Sequence, residues 1–167
     1  MNDASMKDEA AALIGQLEQA FRGVKLGHGV GLYEALEIDS YSRDEVREKA
    51  RERDEKDDWT RLGPDELRGS LTAMGYFDPE GMRFHLPAYL RAEIISPFID
   101  DLLVALLMVR LGGEECRLSL LSHRQRKVVR ECLVYIMHQY TDSPEDCPMC
   151  QAIQERWVQY LDQQLGE

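Results

Sequence analysis

The chain has 167 residues, 44% of them apolar and 31% charged, which suits one domain with a substantial core. Its formal net charge of −11 repels a phosphate backbone and argues against nucleic acid as a partner. The N-terminal segment carries acids without a signal-like apolar run, and no apolar stretch approaches the ~20 residues of a membrane span.

These features predict a cytoplasmic protein with no membrane contact. Four cysteines in such a chain are expected to be reduced thiols, so no disulfide framework is implied. The acidic surface suits a basic protein partner, and it is equally typical of an ordinary soluble bacterial protein. Composition does not decide between a monomer and a homodimer.

The first helix is predicted over residues 6–22 from an apolar stripe at helical spacing, and Gly23 closes it. Segment 24–41 is rich in glycine and predicts a flexible loop with one helical turn at 32–36. Its 27–31 stretch, GHGVG, superficially resembles a phosphate cradle. It follows a helix instead of a strand and lacks the Gly-Lys-Ser/Thr continuation, so we interpret it as a flexible turn.

Acids and bases alternate through segment 43–58, which predicts a solvated helix touching the body along one narrow line. Ser42 and Glu45 form a capping-box pattern at its start. We expect Trp59 to be buried and to anchor this segment. A third helix is predicted over 64–74.

The next segment, residues 75–90, predicts a reversal of the chain direction that is lined by aromatic side chains. It is built on a turn at 78–81, in which Pro79 fixes φ and Gly81 takes a positive φ. A helix over 87–95 follows, opened by its own proline. After a break, residues 98–110 are apolar on most faces, which predicts the most buried helix of the fold.

Residues 116–120 alternate like a short strand or an extended lead-in. Ser122 and Gln125 then form a capping box before the clearest amphipathic helix. Its apolar face consists of Val128, Val129, Cys132, Leu133, Ile136, Met137 and Tyr140. The last helix is predicted over 148–165. The fold class is therefore mainly α: a single irregular helical domain of six to seven helices, with at most one short hairpin or extended pair.

Several segments of the chain form a signature. They are Asp54-Glu55 with Asp57-Asp58-Trp59, Phe77-Asp78-Pro79-Glu80-Gly81 with Arg83-Phe84, and Leu86-Pro87-Ala88-Tyr89-Leu90, followed by Leu121-Ser122, Gln125, Val128 and 133–135. Together they resemble an uncharacterised bacterial family, a domain of unknown function, over about residues 20–140. His85 stands where that pattern is usually aromatic. The resemblance implies a shared fold and no assigned activity.

Candidate binding residues lie in the aromatic reversal and at the acidic end of the charged segment. They are Tyr76, Phe84, His85, Tyr89, Asp54, Asp57, Asp58 and Trp59. The aromatic side chains predict either a docking surface or a pocket wall with the acids at its mouth. The acids are equally interpreted as surface residues paired with local arginines. No catalytic residue is assigned, because the four histidines are scattered and match no catalytic motif.

Cys147-Pro148-Met149-Cys150 is the sharpest chemical motif. Two thiols at the start of a helix favour thiolate chemistry, but no strand precedes them and no second cysteine pair supplies a zinc set. We expect a reduced, metal-free pair, in which Cys147 and Pro148 begin the helix and Cys150 lies one turn on, and no cofactor.

Three functional hypotheses follow. The first is a non-catalytic, acidic protein-interaction module with an unknown protein partner. The second is an enzyme of unrecognised type with a pocket near residues 76–89. The third is a thiol-redox or zinc protein acting through Cys147 and Cys150.

Overall fold

The computed structural model describes residues 3–98, 101–112 and 116–166, without the side chains of residues 3–5. Helix makes up 70% of the structure, and the described residues contain no strand. The α-helices are α1 (Asp3–Ala20), α2 (Leu32–Asp39), α3 (Asp44–Arg53), α4 (Pro64–Arg68), α5 (Pro79–Ile95), α6 (Asp101–Leu107), α7 (His123–Tyr140), α8 (Pro148–Ile153) and α9 (Gln159–Leu165). Short 3-10 helices cover Trp59–Arg61, Leu71–Gly75 and Pro144–Asp146, and a π-helical segment, Gln154–Val158, joins α8 to α9. The predicted single helical domain is confirmed, with more and shorter helices than expected.

The central helix is α5. Twelve of its 17 residues are buried, and it contacts α1, α4 and α7. The prediction that residues 98–110 form the most buried helix is wrong. Helix α6 lies at the surface, buries one side against α8 and the Leu71–Gly75 3-10 helix, and leaves Val104 exposed. Residues 99–100 of the predicted helix lie outside the described part of the chain.

The predicted turn at 78–81 is instead the first turn of α5. Asp78 is the N-cap, Pro79 occupies the first helical position, and the Asp78 carboxylate accepts a hydrogen bond from the amide of Gly81 at 2.8 Å. Gly81 is not among the glycines with positive φ. Pro87 lies buried inside the helix rather than at its start, because this cap begins the helix eight residues earlier.

Helix α3, in the charged segment, does not begin with the capping box that the sequence predicted at Ser42 and Glu45. Arg43, not Ser42, is the N-cap of α3, and Ser42 donates its hydroxyl to Glu37 at 2.5 Å. The anchoring role of Trp59 is confirmed, since this side chain is buried and donates its indole N–H to the carbonyl of Phe21 at 3.1 Å. Helix α2 is two turns long instead of the single turn expected.

The C-terminal half follows its sequence pattern more closely. The Ser122–Gln125 capping box of α7 is present in both directions. The final helix runs from 148 to 165 as predicted, with the π-helical segment placing Trp157 in the core. The prediction of a short strand or an extended lead-in at 116–120 is wrong. This segment forms consecutive turns, in which the amide of Ser119 donates to the carbonyl of Cys116 and the amide of Leu121 to that of Leu118.

Candidate functional site

The glycine-rich loop 27–31 contains a turn at residues 27–28, and Arg51 hydrogen-bonds to it. The Arg51 guanidinium donates to the carbonyl oxygens of Gly27, at 3.0 Å, and of Gly29. It also pairs with the carboxylate of Glu34 at 2.8 Å. One side chain of the charged segment therefore holds two loop carbonyls, which is why the loop needs no regular secondary structure to be fixed.

Asp54 caps helix α2 from outside that helix. The N-cap residue, Gly31, has no side chain, and the Asp54 carboxylate accepts from the amides of Tyr33, at 2.6 Å, and Glu34, at 3.4 Å. A Cβ on Gly31 would overlap this carboxylate. Burial raises the pKa of Asp54, and the two backbone hydrogen bonds oppose that shift. Asp54 is thus a buried structural acid, which corrects its interpretation as a surface residue.

Asp78 joins the same loop to α5. Its Oδ1 atom accepts from the amide of Gly81 at 2.8 Å and from the amide of Val30 at 2.9 Å. A Cβ on Gly81 would overlap the carbonyl oxygen of Val30. We call this assembly the glycine junction: loop 27–31 with Arg51, Asp54, Asp78 and Gly81. Asp54 and Asp78 each accept hydrogen bonds from two backbone amides, so the assembly holds α2, α3 and α5 together.

Asp57 and Asp58 lie apart from Asp54. Asp57 is exposed and pairs with Lys25 at 2.8 Å, and this contact lowers its pKa. Asp58 caps the 3-10 helix that begins at Trp59, and its hydrogen bonds to Thr60 lower its pKa. The structure therefore does not assemble the three acids into one carboxylate cluster.

Three of the predicted aromatic candidates belong to the core. Phe84, His85 and Tyr89 are fully buried, and none of them lines the surface groove that contains Tyr76. The Tyr89 hydroxyl donates to the carbonyl of Ser70 at 2.7 Å, and burial raises its pKa. Their rings pack α5 against its neighbours, so they do not wall a pocket with Tyr76.

His85 is a neutral core histidine. Its ring stacks on Phe77 with centroids 4.3 Å apart, and Nδ1 lies 2.8 Å from the carbonyl oxygen of Gly81. Because a carbonyl only accepts, Nδ1 carries the proton, and the buried Nε2 has no hydrogen-bond partner. Burial lowers the pKa of His85 to about 4.

Tyr76 lies at the surface in an apolar groove of about 450 Å³ between α6 and the Leu71–Gly75 3-10 helix. We call it the Tyr76 groove; it is lined by Asp39, Leu71, Thr72, Gly75, Tyr76, Asp101, Val104, Ala105 and Met108. Met108 is 72% exposed, Val104 50% and Tyr76 36%. Exposed apolar side chains gathered in one concavity are typical of an interaction site.

Acidic and aromatic groups border the groove. The Tyr76 hydroxyl is hydrogen-bonded to Asp39, which is the main reason that its pKa is raised, and Tyr41 adds a smaller contribution. Tyr41 is 93% exposed and has a φ of 56°, a left-handed conformation that is unfavourable for a residue with a Cβ. Asp101 stands at the start of α6 on the groove side. The groove thus combines an apolar floor with acidic edges.

The sequence interpretation missed Val104 and Met108. They are four residues apart, a spacing that brings side chains to one side of a helix and its final turn, and that spacing was a usable signal. Because segment 102–109 is apolar throughout, its pattern did not indicate which side would lack a neighbour.

Other cavities offer less defined chemistry. A groove of about 510 Å³ between α1 and α7 contains charges of both signs, from Glu9 and Glu131 to Arg130. A polar pocket of about 330 Å³ beside Asp54 contains two arginines and three carboxylates, and Arg53 there stacks over the Tyr33 ring at 4.3 Å. Neither presents a single partner chemistry.

Cys147 is the N-cap of α8, and its sulfur accepts a hydrogen bond from the amide of Cys150 at 3.5 Å. The predicted helix start is therefore confirmed. Across the described residues, no three His, Cys, Asp or Glu side chains are grouped as a metal ion requires. Within the same residues, no helix is long and apolar enough to cross a bilayer.

The chain belongs to a family of unknown function, DUF6714, which it matches over residues 9–161. The match extends beyond the region of resemblance recognised from the signature segments. No curated protein and no solved structure matches the chain. The family assignment therefore supplies a grouping and no activity.

Proposed function

We propose that the protein is a non-catalytic, cytoplasmic bacterial interaction module that binds a basic protein segment in the Tyr76 groove. The observation that carries the proposal is the exposure of Met108 and Val104 together in one concavity. An apolar anchor from a partner would bury these side chains, at roughly 25 cal/mol for each Å² of apolar surface removed from water.

Charge complementarity selects the partner. Asp39 and Asp101 border the groove, and the chain carries a net charge of −11. A segment with Lys or Arg beside its apolar anchor is attracted to such a surface. A second copy of the chain is disfavoured as the occupant, because it carries the same net charge.

The cytoplasmic location has its own support. None of the four cysteines is in a disulfide. Proteins of reducing compartments keep their cysteines as thiols.

The experiment is selection of a displayed random peptide library on the immobilised full-length protein. Enriched peptides should carry an aliphatic or aromatic residue flanked by Lys or Arg. Their binding should weaken as NaCl rises from about 0.05 to about 0.3 M, because salt screens the charge contribution. Met108→Lys should abolish binding, because it removes an apolar contact from the floor of the groove and places a positive charge opposite the basic residues of the peptide.

Leu120→Lys is the matched control, since Leu120 is also an exposed apolar residue and lies outside the groove. Both variants should keep the wild-type circular dichroism spectrum. Enrichment that survives Met108→Lys, or enrichment of acidic peptides, would contradict the proposal. A dimer in sedimentation velocity that dissociates in Met108→Lys alone would assign the groove to self-association instead.

A further inference from the structure

The Cys147–Cys150 pair has features beyond those of a helix cap. Cys147 is the N-cap of α8 and Cys150 is the third residue of that helix, and the backbone amide of Cys150 donates a hydrogen bond to the sulfur of Cys147 at 3.5 Å. Residues three apart at the start of a helix lie on one face, so the two side chains are neighbours within a single turn.

The two thiols differ sharply in access to solvent. Cys147 is partly exposed and lines a surface cavity of about 470 Å³ between α7 and the segment that joins α5 to α6. Cys150 is 1% exposed. This asymmetry suits a pair in which one sulfur meets an oxidant and the other resolves the product.

We propose that Cys147 and Cys150 form an oxidative modification site that takes hydroperoxides as substrate and closes to an intramolecular disulfide. The Cys147 thiolate attacks the distal oxygen of the hydroperoxide. An S–O bond forms, the O–O bond breaks, and the alcohol, or water from hydrogen peroxide, leaves with a proton. Cys150 then attacks the sulfenic sulfur, the S–S bond forms, and the hydroxyl leaves as water with the proton of Cys150.

The electron balance closes without another reactant. Two thiols lose two protons and two electrons, and the hydroperoxide takes them up to become alcohol and water. The burial of Cys150 raises its thiol pKa to about 12, so this thiol does not react first. The site is independent of the Tyr76 groove.

The other two cysteines are internal references. Cys132 is fully buried on α7. Cys116 is partly exposed, and its sulfur contacts the carbonyl of Leu111 and the hydroxyl of Tyr160, both at 2.9 Å. No second cysteine lies beside either of them in sequence, so neither offers an adjacent thiol for closure.

The test treats the reduced full-length protein with hydrogen peroxide and follows it by intact mass and peptide mapping. The expected product has lost two hydrogen atoms, links Cys147 to Cys150 in one peptide, and reverts with dithiothreitol. In Cys150→Ser, dimedone should trap a sulfenic acid on Cys147. In Cys147→Ser, oxidation of residue 150 should slow by at least about tenfold, because only a buried thiol remains.

Each alternative result overturns the proposal. Dimedone labelling at Cys116 instead of Cys147 would place the reactive thiol elsewhere. Disulfide-linked dimers, or retention of both hydrogens in the wild type, would exclude intramolecular closure. Peptide mapping of the oxidised wild-type protein tests the proposal without any variant. Circular dichroism establishes whether both serine variants fold.

Discussion

Gly81 is required for close packing and not for a left-handed conformation. It lies in the first turn of α5, where its Cα faces the carbonyl oxygen of Val30. A Cβ at this position would also stand 2.9 Å from Oδ1 of Asp78. Both neighbours are fixed, the first as backbone and the second as a double hydrogen-bond acceptor, so neither can move away cheaply.

Gly81→Ala should therefore destabilise the protein by about 1–3 kcal/mol in urea unfolding, despite the better helix propensity of alanine. Gly15→Ala is the matched control, because Gly15 lies exposed in α1 with nothing within 4 Å of its Cβ position. That control should be neutral or stabilising by about 0.5–1 kcal/mol. Equal effects of the two substitutions would contradict the packing explanation.

His85 should make the protein sensitive to mild acid. Its pKa falls from 6.5 when unfolded to about 4 when folded, because burial disfavours the charged ring. Above pH 6.5 both states are neutral, so the contribution to stability is constant. Between pH 6.5 and 4 the unfolded chain binds a proton that the folded chain does not, so about 3 kcal/mol of stability is lost across this window.

The measurement is the free energy of unfolding from pH 7.5 to 4 in the wild type and in His85→Phe, which keeps the stacking on Phe77. As the pH falls from 6.5 to 4, the free energy of unfolding of the wild type should fall by about 3 kcal/mol relative to that of His85→Phe, since only the wild type loses this contribution. His123→Gln, at an exposed position, should keep the wild-type profile. Parallel curves for wild type and His85→Phe would exclude His85 as the source.

Helix α2 is stabilised by groups from other elements. It has eight residues and an N-cap without a side chain, so it is too short to be stable alone. Asp54 binds its first free amides, and Arg51 fixes the loop that leads into it. The sequence predicted that the charged segment is only a solvated helix. Its residues Arg51 and Asp54 instead hold α2 and loop 27–31 in place.

Asp54→Ala should cost about 1–2 kcal/mol, the range of a lost N-cap, and should speed hydrogen exchange at the amides of Tyr33 and Glu34. Asp54→Asn keeps one oxygen acceptor and should cost less. Asp57→Ala is the control, because its exposed pair with Lys25 is screened by solvent and its loss should leave the free energy of unfolding nearly unchanged. Unchanged hydrogen exchange at the amides of Tyr33 and Glu34 in Asp54→Ala would show that Asp54 does not cap α2.

The whole molecule carries a large excess of negative charge. The 31 acidic residues outnumber the 20 basic ones, so the net interaction among the charges is repulsive. Ion pairs such as Arg51–Glu34 and Arg91–Glu18 nevertheless link separate helices. Surface pairs of this kind contribute little individually, whereas the net repulsion acts across the molecule.

Raising NaCl from about 0.01 to about 0.15 M should therefore raise the melting temperature, because the Debye length falls from about 30 to about 8 Å. The double variant Glu48→Gln, Glu52→Gln removes two exposed charges of α3 and should show a smaller increase. Differential scanning calorimetry at matched protein concentration measures both. A melting temperature that falls with salt would mean that the ion pairs outweigh the repulsion.

The family grouping and the helical architecture were accessible from the sequence. Helix α7, with its capping box, and the final helix at 148–165 follow patterns that span only three or four residues at a time. Among the candidate residues, Tyr76 lies on an exposed surface and Trp59 is buried as expected. Periodicity and caps encode such features because both partners of each interaction lie within one or two helical turns.

The glycine junction and the Tyr76 groove required the tertiary structure. Asp54 reaches an amide 21 residues away, and Asp78 reaches one 48 residues away, so no local pattern pairs them. Likewise, an apolar run predicts burial for every face of α6, and only the arrangement of its neighbours leaves Val104 and Met108 uncovered. Local hydrogen bonds and side-chain spacing set the helices, whereas the site depends on which distant surfaces come together.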